Sequence, residues 1–265
     1  SAYFNLAKFQ FRKRKYEDVF DYVAMVDPLD LSEKERAVFR FKQGYSHFQL
    51  DEFDKAAESF YEIKDTDNAY VVAARYYYAH ITYSQKKYQT AAENFKKIAS
   101  DPQFGSLVPY YLTQILYLQN RFDELLAYAP AVLDSAPPKR EDEIRKLIGD
   151  AYYKTNKFGE ALLHLEKYLM KNQGTKDDYY QIGFAYFKTE KYEQAIQSLQ
   201  KSIGEDDTLS QSAYYYLGES NIKIDNKRAA KTAFRSAYQL PIDEEVAEDA
   251  LFNYAKTAYE LSYHP

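Results

Sequence analysis

The chain has 265 residues, of which 46% are hydrophobic, 17% aromatic and 28% charged, with a formal net charge of −5 at pH 7. That balance belongs to a soluble, globular chain rather than a disordered one, and it offers no basic stripe of the kind a nucleic-acid phosphate backbone needs. The absence of cysteine excludes a disulfide framework and thiolate metal sites, and no apolar run approaches the roughly 20 residues that cross a bilayer.

Helical periodicity begins at once. Residues 1–30 open inside a helix, "YFNLAKFQF", without a polar cap, and end near Pro28. Tyr3, Leu6 and Phe9 recur on one face where the outer surface of an end helix should be polar, so another element is expected ahead of Ser1 in the native protein. The chain also starts without methionine, which points to a processed or excised piece from which an export signal could have been removed. Residues 37–66 and 72–100 form two regular helix pairs, closed by the turn residues Pro102 and Gly105. The pair over 106–135 departs from the pattern. Pro109 falls early in its first helix and Pro130 within its second, where proline costs about 3 kcal/mol unless its neighbours accommodate it. With Pro137 and Pro138 following, a change of curvature and a hinge are expected there. Residues 142–171, 176–202 and 211–240 are the most regular pairs. The last segment, 248–265, supplies one helix with an apolar face at Leu251, Tyr254 and Ala258, and the chain stops at His264-Pro265, where a second helix should open. The sequence therefore looks like a fragment of a longer array.

The clearest unit is Asp177 to Ser202. Tyr179, Ile182 and Tyr186 make the stripe of a first helix, and Tyr192, Ala195, Ile196 and Leu199 that of a second. Small residues return in register at Ala7, Gly44, Ala79, Thr113, Gly149, Gly183, Gly218 and Ala255, spaced 37, 35, 34, 36, 34, 35 and 37 apart. Nine residues after the first seven stand Tyr16, Phe53, Tyr88, Phe122, Phe158, Tyr192 and Lys227, each expected to open a second helix. Three further on stand Val19, Ala56, Ala91, Leu125, Ala161, Ala195 and Ala230. This register resembles the tetratricopeptide repeat, whose period is about 34 residues. It covers the whole chain and implies one all-α, right-handed superhelical α-solenoid of about seven and a half helix hairpins over residues 1–265. The tyrosine-rich helices "AARYYYAHITYSQKKYQTAAENFKKI" and "AYYYLGESNIKI" resemble those of large bacterial, Bacteroidetes-type multi-repeat proteins and, more loosely, of envelope lipoproteins. A periplasmic or envelope location is what that resemblance implies.

In this family the first helices line a concave surface. With the small residue numbered 8, positions 5 and 12 lie seven apart and share one helix face, while 4, 7 and 11 point into the core. Fourteen of the sixteen residues at positions 5 and 12 are aromatic, where composition alone gives about three. The expected ladder runs from Phe4 to Tyr259, interrupted at Lys146 and Ile222. Two readings stand side by side: the rings pack one hairpin on the next with only their edges exposed, or they present a rigid amphipathic binding surface. The candidate partner-binding residues are Tyr76, Tyr83, Tyr110, Tyr117, Tyr153, Tyr180, Phe187 and Tyr215. Positions 9 and 13 add polar residues, among them Lys8, Arg12, His80, Asp150 and a basic row at Lys154, Lys188 and Lys223 suited to a carboxylate-bearing ligand. The branch of the family that clamps a terminal carboxylate uses Lys at position 5 and Asn at position 9. Only Lys146 matches, with Asp150 beside it, so that clamp is absent.

Catalytic signals are poor. Ser84–Lys87 and Ser198–Lys201 match S-x-x-K without the motifs that should accompany it. His47, His80, His164 and His264 lack metal-ligand spacing, and those on first helices, His47 and His80, read as satisfied, partly buried imidazoles. No cofactor and no active site is assigned. The expected function is a non-catalytic protein-interaction scaffold that holds a protein or peptide segment in an aromatic-lined concave groove, with no nucleic-acid partner. The alternatives are a glycan-binding module of a bacterial envelope protein, or the recruiting arm of an enzyme whose catalytic domain lies outside this chain. The uncapped ends would also allow end-to-end self-association.

Overall fold

The computed structural model describes residues 2–133, 136–240 and 242–263. Among them are fifteen α-helices, two short 3-10 turns and no strand. His264, Ser1 and Pro265 lie outside the described residues. The chain forms two compact units, one of Ser1–Gln119 and Val132–Arg140, the other of Asn120–Ala131 and Glu141–Pro265.

The first unit is built from hairpins α1 (Ala2–Arg12) with α2 (Tyr16–Val23), α3 (Glu33–Gln49) with α4 (Phe53–Tyr61), and α5 (Val71–Ser84) with α6 (Tyr88–Lys96), followed by α7 (Val108–Leu118). Pro109 sits in the first turn of α7, where its missing N–H is no loss. Pro130 lies inside α8 (Phe122–Leu133), where Leu125 and Ala129 are fully buried. The second unit contains most of α9 (Pro138–Lys154), then α10 (Phe158–Lys171), the hairpins α11 (Lys176–Lys188) with α12 (Tyr192–Ser202) and α13 (Thr208–Lys223) with α14 (Lys227–Tyr238), and finally α15 (Glu244–Tyr263). Side-chain caps fix several starts. Ser32 and Glu35 make a capping box at α3, Thr175 and Asp178 another at α11, and Asp207 caps α13.

Each of the seven expected anchors, Tyr16 to Lys227, is the first residue of a second helix. Two residues ahead of each stands a left-handed residue: Arg14, Asp51, Lys86, Asn120, Asn156, Glu190 and Asp225, with φ between 55° and 61°. The following N–H reaches back five residues, as Glu52 to His47 O (2.9 Å) and Lys191 to Tyr186 O (2.9 Å), which satisfies a carbonyl the helix end would orphan. The seven residues three past the anchors, Val19 to Ala230, are completely buried. The small residues matter for the same reason. A methyl group on Gly218 would lie 2.5 Å from Phe234 Cε1, and one on Gly183 would lie 2.8 Å from Leu199 Cγ. Phe60, Phe95 and Phe234 fill the hairpins without any exposure, each contributing about 2–3 kcal/mol of burial.

The last helix keeps the register of the repeat, burying Ala250 and Thr257 where other hairpins bury Phe39 and Ser46 or Ala74 and Ile81, but not the expected face at Leu251. Ala255 is exposed, as is Leu251 at 50%, whereas Ala250 and Thr257 are buried and Tyr254 packs on Tyr238 at 5.3 Å. The cause is one-sided packing. α15 rests on α14 and α13, so its buried stripe is the one that meets the preceding hairpin. The stripe that in other repeats meets a second helix stays open.

Candidate functional site

The candidate rings occupy first helices, and the two units can be taken in turn. In the first, Tyr76 on α5 stacks on Phe104 (4.5 Å, 24°) and meets Tyr111 of α7 edge-on at 6.4 Å. Tyr83 meets Tyr111 edge-on at 5.5 Å, and its hydroxyl donates to Gln114 Oε1 (2.6 Å). Gln114 Nε2 then donates to the Tyr110 hydroxyl at 2.7 Å, and the Arg140 guanidinium lies 4.0 Å from the Tyr110 ring centroid. Tyr117 is half-buried on the same helix. Burial, reinforced by Tyr110 and Tyr88, raises the Tyr83 phenol above its ordinary value. The Tyr83 hydroxyl is therefore a neutral donor.

In the second unit, Tyr153 on α9 packs edge-on to Phe158 (5.6 Å) and Phe184 (5.9 Å), and burial pushes its phenol up to about 12. Tyr180 lies nearly parallel to Phe184 at 6.1 Å. Phe187 contacts Tyr216 at 5.2 Å, and Tyr215 meets Phe234 edge-on at 6.0 Å. All eight candidate rings are half-buried, and those of Tyr76, Tyr83, Tyr153, Tyr180, Phe187 and Tyr215 are held by the aromatic neighbours just described. The hubs of these clusters, Tyr77, Tyr111, Phe184 and Tyr216, were not among the candidates. They sit at positions 6 and 9, and the recurrence of tyrosine at position 6 (Tyr77, Tyr111, Tyr216) was the signal that could have found them.

A polar cluster interrupts the rings at Lys146. Its ammonium bonds Asp178 Oδ1 at 2.6 Å, and Asp178 also closes the capping box at Thr175. Burial opposes the charge on Lys146, but Asp178 and Asp150 outweigh it, so the ammonium's pKa is raised. Asp150 is buried, with 6% of its surface exposed, and its Oδ1 has no hydrogen-bond partner. Burial pushes this carboxyl up to about 6, against the pull of Lys146 and with a further push from Asp178. Lys146 is thus committed to a neighbouring helix rather than offered to a ligand. The basic row of Lys154, Lys188 and Lys223 is exposed, with Lys188 5.2 Å from the Phe184 ring centroid.

The histidines divide. His47 is satisfied as expected, its Nδ1 2.5 Å from Glu52 Oε2 and its ring stacked on Phe20 at 4.2 Å. His80 corrects the expectation: its buried Nδ1 has no partner, because Phe48, Tyr76 and Tyr111 surround it with rings rather than acceptors. Burial accordingly lowers its pKa. Among the described residues no three His, Asp or Glu side chains converge as a metal site, and no helix is long and apolar enough to cross a membrane.

Comparison with known proteins gives the fold a name. A family described as anaphase-promoting complex, cyclosome, subunit 3 matches residues 154–237. The C-terminal part of a TPR repeat-containing protein from Cytophaga hutchinsonii superimposes with a TM-score of 0.64 at 16% identity, covering 94% of this chain and 99% of that one. YrrB, described as a TPR protein with an unusual peptide-binding site, gives 0.53 at 19% identity over 63% of this chain and 84% of its own. The apo form of RapI gives 0.53 at 13% identity over 94% and 79%. No curated protein matches the sequence.

Proposed function

We propose that this chain, whose fold is that of the tetratricopeptide repeats, is a non-catalytic protein-interaction scaffold that holds an extended segment or helix of a protein partner against its first helices. The observation that carries the reading is the row Tyr83–Gln114–Tyr110, with Arg140 against the last ring. A hydrogen-bonded row of half-exposed rings presents apolar surface and polar tips whose rotamers are fixed before binding, so little entropy remains to be lost. Tyr153, Tyr180, Phe187 and Tyr215 form the corresponding surface in the second unit, and the description of YrrB as peptide-binding supports the class of partner.

The test is a pull-down from envelope and cytosol extracts that compares the native chain with two variants. One carries Tyr180→Ala, Phe187→Ala and Tyr215→Ala, with its helicity checked by circular dichroism. The other carries Tyr83→Phe and Tyr110→Phe, which keeps the packing and removes the polar tips. A partner retained by the native chain and lost by both folded variants is the expected result. Equal capture by all three would remove the aromatic surfaces from the function.

A further inference from the structure

The first unit also holds three cations that make no ion pair among the described residues. Lys8 and Arg12 lie on α1 at positions 9 and 13, and Lys42 lies on α3. The Lys42 ammonium crosses to α1, 4.0 Å from the Phe11 ring centroid, while Lys8 lies 4.5 Å from that of Phe4. None of the three makes an ion pair among the described residues, although most of the half-buried lysines and arginines elsewhere do, such as Lys146 with Asp178 and Arg75 with Asp65. Glu35, which feels Lys8, is already engaged in the capping box at Ser32. Beyond the Glu35 carboxylate, the negative potential the three cations meet comes from two ring faces and the carbonyl end of α1.

Lys42 is half-buried, and burial together with its neighbours Arg12 and Lys8 lowers its pKa. Like charges gathered at a partly desolvated place destabilise the fold unless something neutralises them. Such an arrangement suits a surface whose counter-charge arrives with a ligand.

We propose that Lys8 and Lys42, set against the rings of Phe4 and Phe11, form with the exposed Arg12 an anion-recognition site for the side-chain carboxylates of an acidic segment in a protein partner. A short segment bearing carboxylates beside apolar side chains matches ammonium groups set on an aromatic floor. A long polyanion such as nucleic acid would meet the net charge of −5 carried by the rest of the chain. The site is separate from the eight aromatic candidates, so either assignment can fail without the other.

The test uses a fluorescein-labelled eight-residue peptide of alternating glutamate and leucine, its glutamine counterpart, and inorganic phosphate as competitor, in fluorescence polarisation at 50 and 300 mM salt. The native chain should bind the glutamate peptide and not the glutamine one, with affinity falling at high salt. A variant with Arg12→Gln and Lys42→Gln should lose about tenfold or more in affinity. A variant with Lys157→Gln and Lys167→Gln, two exposed lysines of the second unit, should bind as the native chain does. Lys42→Gln alone should raise the melting temperature, because it relieves the repulsion, and this also shows that the variant is folded. Equal binding by the double variant, or a lower melting temperature for Lys42→Gln, would overturn the proposal. Binding of phosphate with none of the peptide would overturn the carboxylate assignment.

Discussion

Asp150→Asn should stabilise the protein, and more so the higher the pH. The side chain keeps its volume and loses only its ionisation. In the fold the carboxyl is pushed from 3.8 to about 6 by burial and by Asp178, so the native state holds a proton that the unfolded state releases. The sign follows from linkage. The contribution of Asp150 is fully favourable below pH 3.8, declines as pH rises through about 6, and is lost above it. A displacement of about two pH units sets a ceiling of about 3 kcal/mol. Because Lys146 loses part of its attraction when Asp150 becomes neutral, the expected gain is about 1–2 kcal/mol at pH 8. Near pH 4 the wild-type carboxyl is already protonated and the gain should vanish.

His164 works in the opposite direction within the same window. Burial, assisted by Arg145 and Lys167, depresses its imidazole to about 4, and its Nδ1 is buried without a partner. The unfolded chain takes up a proton there below 6.5 while the native chain does not. This term is therefore present above pH 6.5 and is lost as pH falls toward 4. Wild-type stability should be nearly flat between pH 4 and 6 with respect to these two groups. Asp150→Asn should make it rise with pH, and His164→Phe should make it fall. Urea unfolding of the three proteins at pH 4.5, 6 and 8, followed by far-UV circular dichroism, measures this. A difference between Asp150→Asn and wild type that does not change from pH 4.5 to 8, or a loss of stability at pH 8, would show that Lys146 holds the carboxylate ionised and would refute the reasoning.

Three further substitutions test the packing. Gly218→Ala puts a methyl group 2.5 Å from Phe234, so it should cost about 1–3 kcal/mol in thermal unfolding, with Gly159→Ala, which meets nothing within 4 Å, as the neutral or stabilising control. Glu190→Gly relieves a left-handed backbone at φ 61° and should stabilise by a few tenths to about 1 kcal/mol; a loss would mean that the turn is not strained. Gln211 is fully buried, with Nε2 donating to Leu240 O (2.6 Å) and Asp243 O (3.0 Å) and Oε1 accepting from the Asp243 N–H (2.8 Å). Gln211→Leu should cost about 2–4 kcal/mol and raise amide exchange at Asp243; unchanged exchange would show that this bridge does not hold the start of α15.

The hairpins were legible because their determinants are local and repeat. An aromatic anchor nine residues past a small residue, with Gly218 or Gly183 facing a bulky side chain of the next helix, leaves few other ways to fold. The start of each second helix could therefore be read to the residue at Tyr16, Phe53 and Tyr192. The exposure of Ala255 and Leu251 on α15 could not, because it depends on which neighbours the helix meets rather than on its own periodicity. Ala250 is buried at the place in the repeat that Phe39, Ala74, Val108, Ile144 and Ala213 take elsewhere, and Leu251 stands beside it. The polar clusters were hidden for a related reason. That Lys146 belongs to Asp178, 32 residues on, and that Lys42 lies over Phe11, 31 residues back, are facts of inter-repeat distance, which a single-helix projection does not contain.

Packing and binding need not compete for the same rings. A ring such as Tyr83 packs against Tyr111 and Tyr88 and fixes its hydroxyl through Gln114, while part of its surface stays exposed and already oriented. Burial of the inner edge supplies the rigidity that makes the outer surface useful, since a side chain with one rotamer loses little on binding. The cations divide on the same principle: Lys146 has found its carboxylate within the fold, whereas Lys8 and Lys42 lie against rings and, like Arg12, make no ion pair among the described residues. On such a scaffold, specificity is written where the repeat leaves a charge unanswered, and the aromatic positions around it hold that charge in place.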